Sequence, residues 1–191
     1  MSNKILFIFE GENTEKQIIS SLQKFFVNEN TTVRCVYGAE IYQIYKDIVA
    51  DEDLDTFNLL KDRNPKNKEI LKDFTRNDFA EIYMFFDYDG HSSLADDNKL
   101  KELLEFFKEE TDKGKLYVSY PMVESLKHIY DFEDFRDLSV KCKENVSYKN
   151  IVHNSCLKTL TNFNGYDFQI WKLIIIAHLK KMNHIVTDSF S

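Results

Sequence analysis

The stretch Glu81-Ile82-Tyr83-Met84-Phe85-Phe86-Asp87-Tyr88-Asp89-Gly90-His91-Ser92 decides how the rest of the chain is read. Ile82 to Phe86 is a short apolar and aromatic run, which predicts a strand buried on both faces. It stops at two aspartates one residue apart, and the turn formers Gly-His-Ser-Ser follow. In an open α/β sheet, ligands bind beyond the carboxyl ends of the strands. Acids placed there offer oxygen ligands to a hard cation such as Mg²⁺. Taken alone, the same residues also fit a solvated acidic turn. A period of two sends Asp87 and Asp89 to one side if the strand continues, whereas a turn separates them.

Upstream, Ile5-Leu6-Phe7-Ile8-Phe9 predicts a second buried strand, and it too stops at acids, in Glu10-Gly11-Glu12-Asn13. Thr14-Glu15-Lys16-Gln17 has the form of a capping box, with Thr14 as cap and Gln17 reaching back. Ile18, Ile19, Leu22, Phe25 and Phe26 then share one helical stripe. Strand, acidic glycine turn and capped helix make a βα unit with Glu10 at the strand's carboxyl end. Glu15, in the first helical turn, faces the same crevice, although an acid there also suits the helix dipole. Thr31 to Gly38 predicts another strand closed by glycine, and a helical pattern runs from Ala39 to about Val49. Residues 51–77 are charged and polar, with a weak helical pattern around Ile70, Leu71 and Phe74. Of a lid, a partner surface and a solvated appendage, this composition favours the appendage.

Downstream, Leu100, Leu103, Leu104 and Phe107 mark an amphipathic helix ended by Gly114, and Lys115–Tyr120 predicts a fourth strand. Pro121 suits the first position of a new helix. That helix would carry Glu124 just past a strand end, with His128 on the same face one turn later. An isolated pair of this kind is usually a surface contact. Asp131–Asp137 reads as a solvated face with Phe132 and Phe135 as anchors, and a helix is expected near Ile151–Leu160. Phe168–Met182 is apolar almost all round, which predicts burial beneath the sheet or in a homo-oligomer interface. The expected organisation is an α/β domain over residues 1–130, with a mainly parallel four-stranded sheet flanked by helices. A helical extension over 131–191 would pack on it.

The 191 residues are 43% hydrophobic and 14% aromatic, which excludes a disordered chain and leaves enough material for a substantial core. A formal charge of -7 argues against binding nucleic acid by bulk attraction. It leaves open an enzyme that meets nucleic acid through metal ions, because bound cations reverse the local field. Cys35, Cys142 and Cys156 are odd in number and widely spaced, as expected of reduced thiols in a cytosol. The N-terminal apolar run is too short for a secretion signal and no stretch reaches the length of a membrane span. The expected location is cytoplasmic, with no membrane partner.

Three presumed strand ends thus carry acids: Glu10, then Asp87 with Asp89, then Glu124. Gathered at one edge, they would repel one another unless cations lay between them. F-I-F-E-G-E-N-T-E-K at Phe7–Lys16 resembles the E-G-x-x-T-E start of the OLD-like and RloB-like nucleases, members of the Toprim group that also includes topoisomerases and DnaG-type primases. The D-x-D after a hydrophobic strand matches the same group, and Y-P-M-V-E-S at Tyr120–Ser125 is similar to its proline-plus-glutamate segment. The likeness covers roughly residues 4–130. It implies a Toprim-like fold with Glu10, Asp87, Asp89 and Glu124 as catalytic acids. These four and the accessory acid Glu15 would be ligands of one or two Mg²⁺ or Mn²⁺ ions. It further implies phosphodiester cleavage in DNA or RNA and a role in defence against phage. OLD proteins carry an ATPase domain that this chain lacks, so ATP-driven control would need a separate ATPase partner. A basic group near the phosphate would assist, and His91 is preferred to Lys127 for that place.

Two other readings compete. F-F-D-Y-D-G also resembles the opening D-x-D-G of haloacid-dehalogenase-like phosphatases, in which the first Asp is a nucleophile. In that family the motif lies on the opening strand, whereas some eighty residues precede it here. The alternative without chemistry is a catalytically silent Toprim scaffold for an ATPase or a nucleic-acid complex.

Overall fold

The computed structural model describes residues 4–27, 31–51, 53–141, 143–144 and 146–189. In chain order it contains β1 (Lys4–Phe9), α1 (Thr14–Phe26), β2 (Thr32–Val36), α2 (Ile41–Ala50), α3 (Thr56–Arg63) and α4 (Pro65–Ile70). Then come β3 (Phe79–Asp87), α5 (Asp97–Phe106), β4 (Lys108–Glu109), β5 (Gly114–Ser119), α6 (Tyr148–Ser155) and α7 (Phe168–Thr187). The strands form one sheet in the order β2-β1-β3-β5-β4. The four longer strands run parallel, as the alternation of strands and helices predicts. The expectation of four strands is corrected by β4, two residues pairing antiparallel with β5 at one edge. Lys-Glu carries no apolar alternation that could announce it. β1 lies between β2 and β3, so the chain turns one way after β1 and the other way to reach β3. That reversal is the topological switch point at which open α/β sheets bind ligands.

Side-chain alternation along the strands sorts the core. Leu6, Ile8, Ile82, Met84, Phe86 and Leu116 are buried together on one face with residues of α2, α3 and α5. Phe7 and Phe9 lie on the other face with Ile19 of α1. There Phe9 stacks on Phe85 at 5.6 Å, and Phe85 stacks on Tyr117 at 5.4 Å. Burial of the central strand on both faces therefore needs correction. Tyr83 and Phe85 are only half-buried, and Tyr117 is exposed.

The polar stretch 51–77 is not an appendage. Leu54, Phe57, Leu60 and Leu71 join the main core. Asp55 caps α3 by accepting from the amides of Phe57 and Asn58, and Asn64 caps α4 ahead of Pro65. Asn67 is fully buried, and its Nδ2 donates to Val36 O at 2.6 Å and to Leu60 O at 3.0 Å. Its Oδ1 accepts from Val36 N at 3.2 Å. One amide thus satisfies the end of the edge strand β2. Asn67→Ala removes those partners inside the protein and is expected to cost ~2–3 kcal/mol. Chemical denaturation monitored by circular dichroism checks this, with an unchanged midpoint as the contrary result.

The C-terminal segment builds a second core in which Ile18 of α1 meets Val123, Ile129, Phe135, Leu160, Phe163, Tyr166, Trp171, Ile174 and Ala177. The helix expected at Ile151–Leu160 ends at Ser155, because Leu157 leaves it to donate its amide to Ile129 O at 2.8 Å. The helix expected over 168–182 continues to Thr187 and does not lie beneath the sheet. Trp171, Ile174 and Ala177 are buried, while Leu179, Met182 and Val186 stay exposed. Among the described residues no helix is long and apolar enough to cross a membrane.

Candidate active site

Parallel strands bring their carboxyl ends to one edge, and there Glu10 and Asp87 meet although 77 positions separate them. The Glu10 amide donates to Phe85 O at 3.2 Å, continuing the β1–β3 pairing. Its side-chain Oε2 accepts from the Asp87 amide at 3.0 Å. Asp87 Oδ1 in turn accepts from the Val123 amide at 2.8 Å. A chain of backbone donors therefore fixes two carboxylates from different strands.

Burial pushes the Glu10 carboxyl up to about 7. The Asp87 amide opposes the shift, and the charges of Asp89, Glu15 and Glu40 add to it. Burial pushes Asp87 up to about 8, with the charge of Glu10 next in size and the Val123 amide opposing. Asp89 is also raised, chiefly by burial, against the opposing effect of His91. Burial is the first cause in all three, and no cation stands among the groups that oppose it at Glu10 and Asp87.

The D-x-D does not continue as strand. β3 stops at Asp87, and Asp89 takes a left-handed φ of 45°, so a turn separates the two aspartates. Tyr88 between them is buried, and its amide donates to Ser119 O at 2.9 Å. Its hydroxyl donates to Asp97 Oδ1 at 2.6 Å, and its ring lies 5.1 Å from that of Tyr120. The ring also folds over Gly90, where an added Cβ would fall 2.3 Å from Tyr88 Cε1. Gly90→Ala must therefore displace a side chain held at both ends. The expected loss is ~1–3 kcal/mol of stability, read as a lowered melting temperature. A variant that melts with the parent would show the Tyr88 ring to be loosely held.

The other expected residues divide. Glu124 reaches the site on a short 3₁₀ helix, Val123–Lys127, rather than on a helix opened by Pro121 and running to His128. The Val123 amide is committed to Asp87. Glu124 is buried, its Oε1 lies 3.8 Å from Lys149 Nζ, and its Oε2 has no hydrogen-bond partner. Its charge raises both Asp87 and Asp89. His128 does not share a face with it at the surface. It is buried against Tyr148, Nδ1 to hydroxyl 3.1 Å, where burial lowers its pKa. Lys127 lies over the Phe163 ring at 5.1 Å.

Glu15 opens α1 and its carboxylate leans on the Gly11 backbone, 3.2 Å from where a Cβ would stand. The expected capping box does not form, since Asn13 is the cap residue and no side chain bonds there. His91 is exposed and lines a cavity of about 290 Å³ with Pro121, Met122, Tyr148 and Lys149. Among the described residues no three His, Cys, Asp or Glu side chains stand close enough to hold an ion as they are arranged.

Comparison with protein-family models, curated proteins and solved structures gave no match. The site therefore stands on its geometry.

Two residues escaped the sequence reading. Glu40 opens α2 after β2, accepts from Ser92 Oγ at 2.9 Å and raises Glu10 and Asp89 by its charge. Gly38-Ala39-Glu40 is the same signal as Glu10-Gly11, an acid and glycine just past a strand. Lys149 comes from α6, and nothing local in the sequence ties it to Glu124. Of the cysteines, Cys35 is buried with its thiol pushed up to about 12, Cys156 is half-buried, and both are free. Cys142 lies outside the described residues.

Proposed function

We propose that the chain is a Toprim-like, divalent-metal-dependent nuclease that cleaves phosphodiester bonds in DNA or RNA. The observation that carries this reading is the Glu10–Asp87 junction at the switch point, with a buried, unpartnered Glu124 oxygen beside it. The donor set suits Mg²⁺ or Mn²⁺, being all carboxylate oxygen. Glu10 and Asp87, buried with mutually raising charges, and the orphaned Glu124 Oε2 are groups that a bound divalent cation would favour. Glu10, Asp87, Asp89 and Glu124 would hold the ion, with Glu15 and Glu40 at the rim. Bound there, a divalent ion supplies Lewis acidity toward a phosphoryl oxygen and a more acidic water.

The chain's own groups do the positioning. The Asp87 and Val123 amides hold Glu10 and Asp87 in fixed orientations. Lys149, drawn to Glu124, and His91 line the neighbouring cavity and would be the hydrogen-bond donors to a phosphate. Defence against phage and control by a separate ATPase belong to this proposal through the resemblance of Phe7–Lys16 to OLD-like nucleases.

The test is cleavage of a panel of DNA, RNA and tRNA by the purified protein with Mn²⁺ or Mg²⁺. Activity is expected with either ion and none in EDTA. Cleavage that survives EDTA would remove the metal reading. A phosphoaspartyl adduct at Asp87 would replace it with the phosphatase.

A further inference from the structure

α7 carries more apolar surface than its own core uses. Its inner face, Trp171, Ile174 and Ala177, belongs to the second core. About a third of a turn round the helix runs a second apolar stripe: Phe168, Ile175, Leu179, Met182 and Val186, between 40% and 76% exposed. With Lys172 between Phe168 and Ile175, the spacing alternates four and three throughout. This is the 3.5-residue period of a coiled-coil seam rather than the 3.6-residue stripe of a helix lying on a globular core. At its N-terminal end the stripe joins an aromatic cluster, Phe168 stacking on Phe26 at 5.7 Å and meeting Phe25 at 6.2 Å.

We infer that this seam pairs with the same seam of a second copy, the two α7 helices running antiparallel across a two-fold axis at the level of Ala177. Antiparallel pairing places Phe168 against Val186 of the other copy, Lys172 against Met182, and Ile175 against Leu179. Every position of one repeat therefore faces the complementary position of the other, the self-matching that an isologous dimer requires. Lys172 can lay its alkyl stem along the facing methionine and turn its ammonium outward. A single lysine within such a seam also fixes register.

The area allows it. Phe25, Phe26 and the five apolar residues of the stripe are 40–76% exposed. At ~150–200 Å² for a whole side chain, that leaves roughly 600 Å² uncovered on each copy. This stands at the upper end of the ~300–600 Å² patch of a typical monomer, and two copies together would cover about 1,200 Å², the lower end of the range for a specific interface.

Sedimentation equilibrium of the full chain reads the assembly directly, a monomer being 22.7 kDa. The expected species at micromolar concentration is a dimer. Leu179→Asp, an exposed change, is expected to weaken association at least 100-fold while the circular-dichroism spectrum stays that of the parent. A monomeric parent overturns the inference, as does a dimer indifferent to Leu179→Asp. Orientation is read by oxidation after Cys142 and Cys156 are replaced by Ser. Ile175→Cys mixed with Leu179→Cys should give a crosslinked heterodimer, whereas crosslinking of Leu179→Cys with itself would refute the antiparallel arrangement. None of these readouts depends on nuclease activity.

Discussion

Asp87→Asn is expected to lower the proposed cleavage by roughly 10³-fold or more, and at the same time to make the metal-free protein more stable at pH 8. The two effects share one cause. Asn keeps an oxygen for the Val123 amide but carries no charge to be buried beside Glu10. In the unfolded chain both acids ionise near pH ~4, whereas in the fold Glu10 titrates at about 7 and Asp87 at about 8. Between these limits the folded state binds more protons than the unfolded state, so stability falls as pH rises. The contribution is whole below about pH 4 and is lost by about pH 8.

The melting temperature of the parent in EDTA should therefore drop steadily from pH 5 to pH 8, and the variant should give a flatter profile. At pH 8 the variant should melt several degrees higher, of the order of 1–3 kcal/mol. Mn²⁺ should restore the parent and leave the variant almost unmoved, because a ligand stabilises only the state that binds it. A parent that gains stability on going from pH 5 to pH 8, or a variant that melts lower at pH 8, would refute this account of the site.

Trp171→Ala should give the largest loss of stability, ~3–5 kcal/mol. The indole is buried, packs at 5.0 Å from Tyr166 and stacks over Phe163 at 6.5 Å. Its Nε1–H donates to Ser21 Oγ at 2.9 Å, and that hydroxyl donates on to Tyr166 O at 3.4 Å. One side chain therefore fastens α7 to α1 by volume and by a relay of hydrogen bonds. Truncation empties the centre of the second core and takes from Ser21 Oγ the donor it accepts from. Trp171→Phe keeps part of the volume and should cost much less, which separates packing from polarity. Urea denaturation checks both variants. If the alanine variant unfolds with the parent, the C-terminal segment is not integral to the fold. The effect should also reach the site, because α1 begins at Thr14 and carries Glu15 beside Gly11.

The parts of this molecule legible from sequence are those in which one residue type has one use. Apolar runs ending in acids at Glu10 and Asp87 announced strands and their carboxyl ends, and parallel pairing then brought the acids together. Elsewhere a residue had two uses and the wrong one was read. Asn67 looks like a solvated polar residue until its amide is seen to close β2. Pro121 looks like the start of an α-helix, but the chain stays extended at Met122 and enters only a short 3₁₀ helix from Val123, whose amide is held by Asp87. Thr14 and Gln17 have the letters of a capping box without its bonds. Lys149 and Glu124 come together only through tertiary folding. The signals that could have corrected 51–77 were present: Asn64 before Pro65, and Phe57 one turn from Leu60.

The lateral borders of the sheet bear on how copies of the chain behave when crowded. On one side the last residue of β2 has its amide and carbonyl taken by Asn67, and on the other the outermost strand is two residues long. Neither offers a long row of vacant main-chain donors and acceptors onto which a stray strand could zip. A concentrated solution should accordingly resist fibril formation, and a rise in thioflavin fluorescence on prolonged incubation would reveal a sticky border.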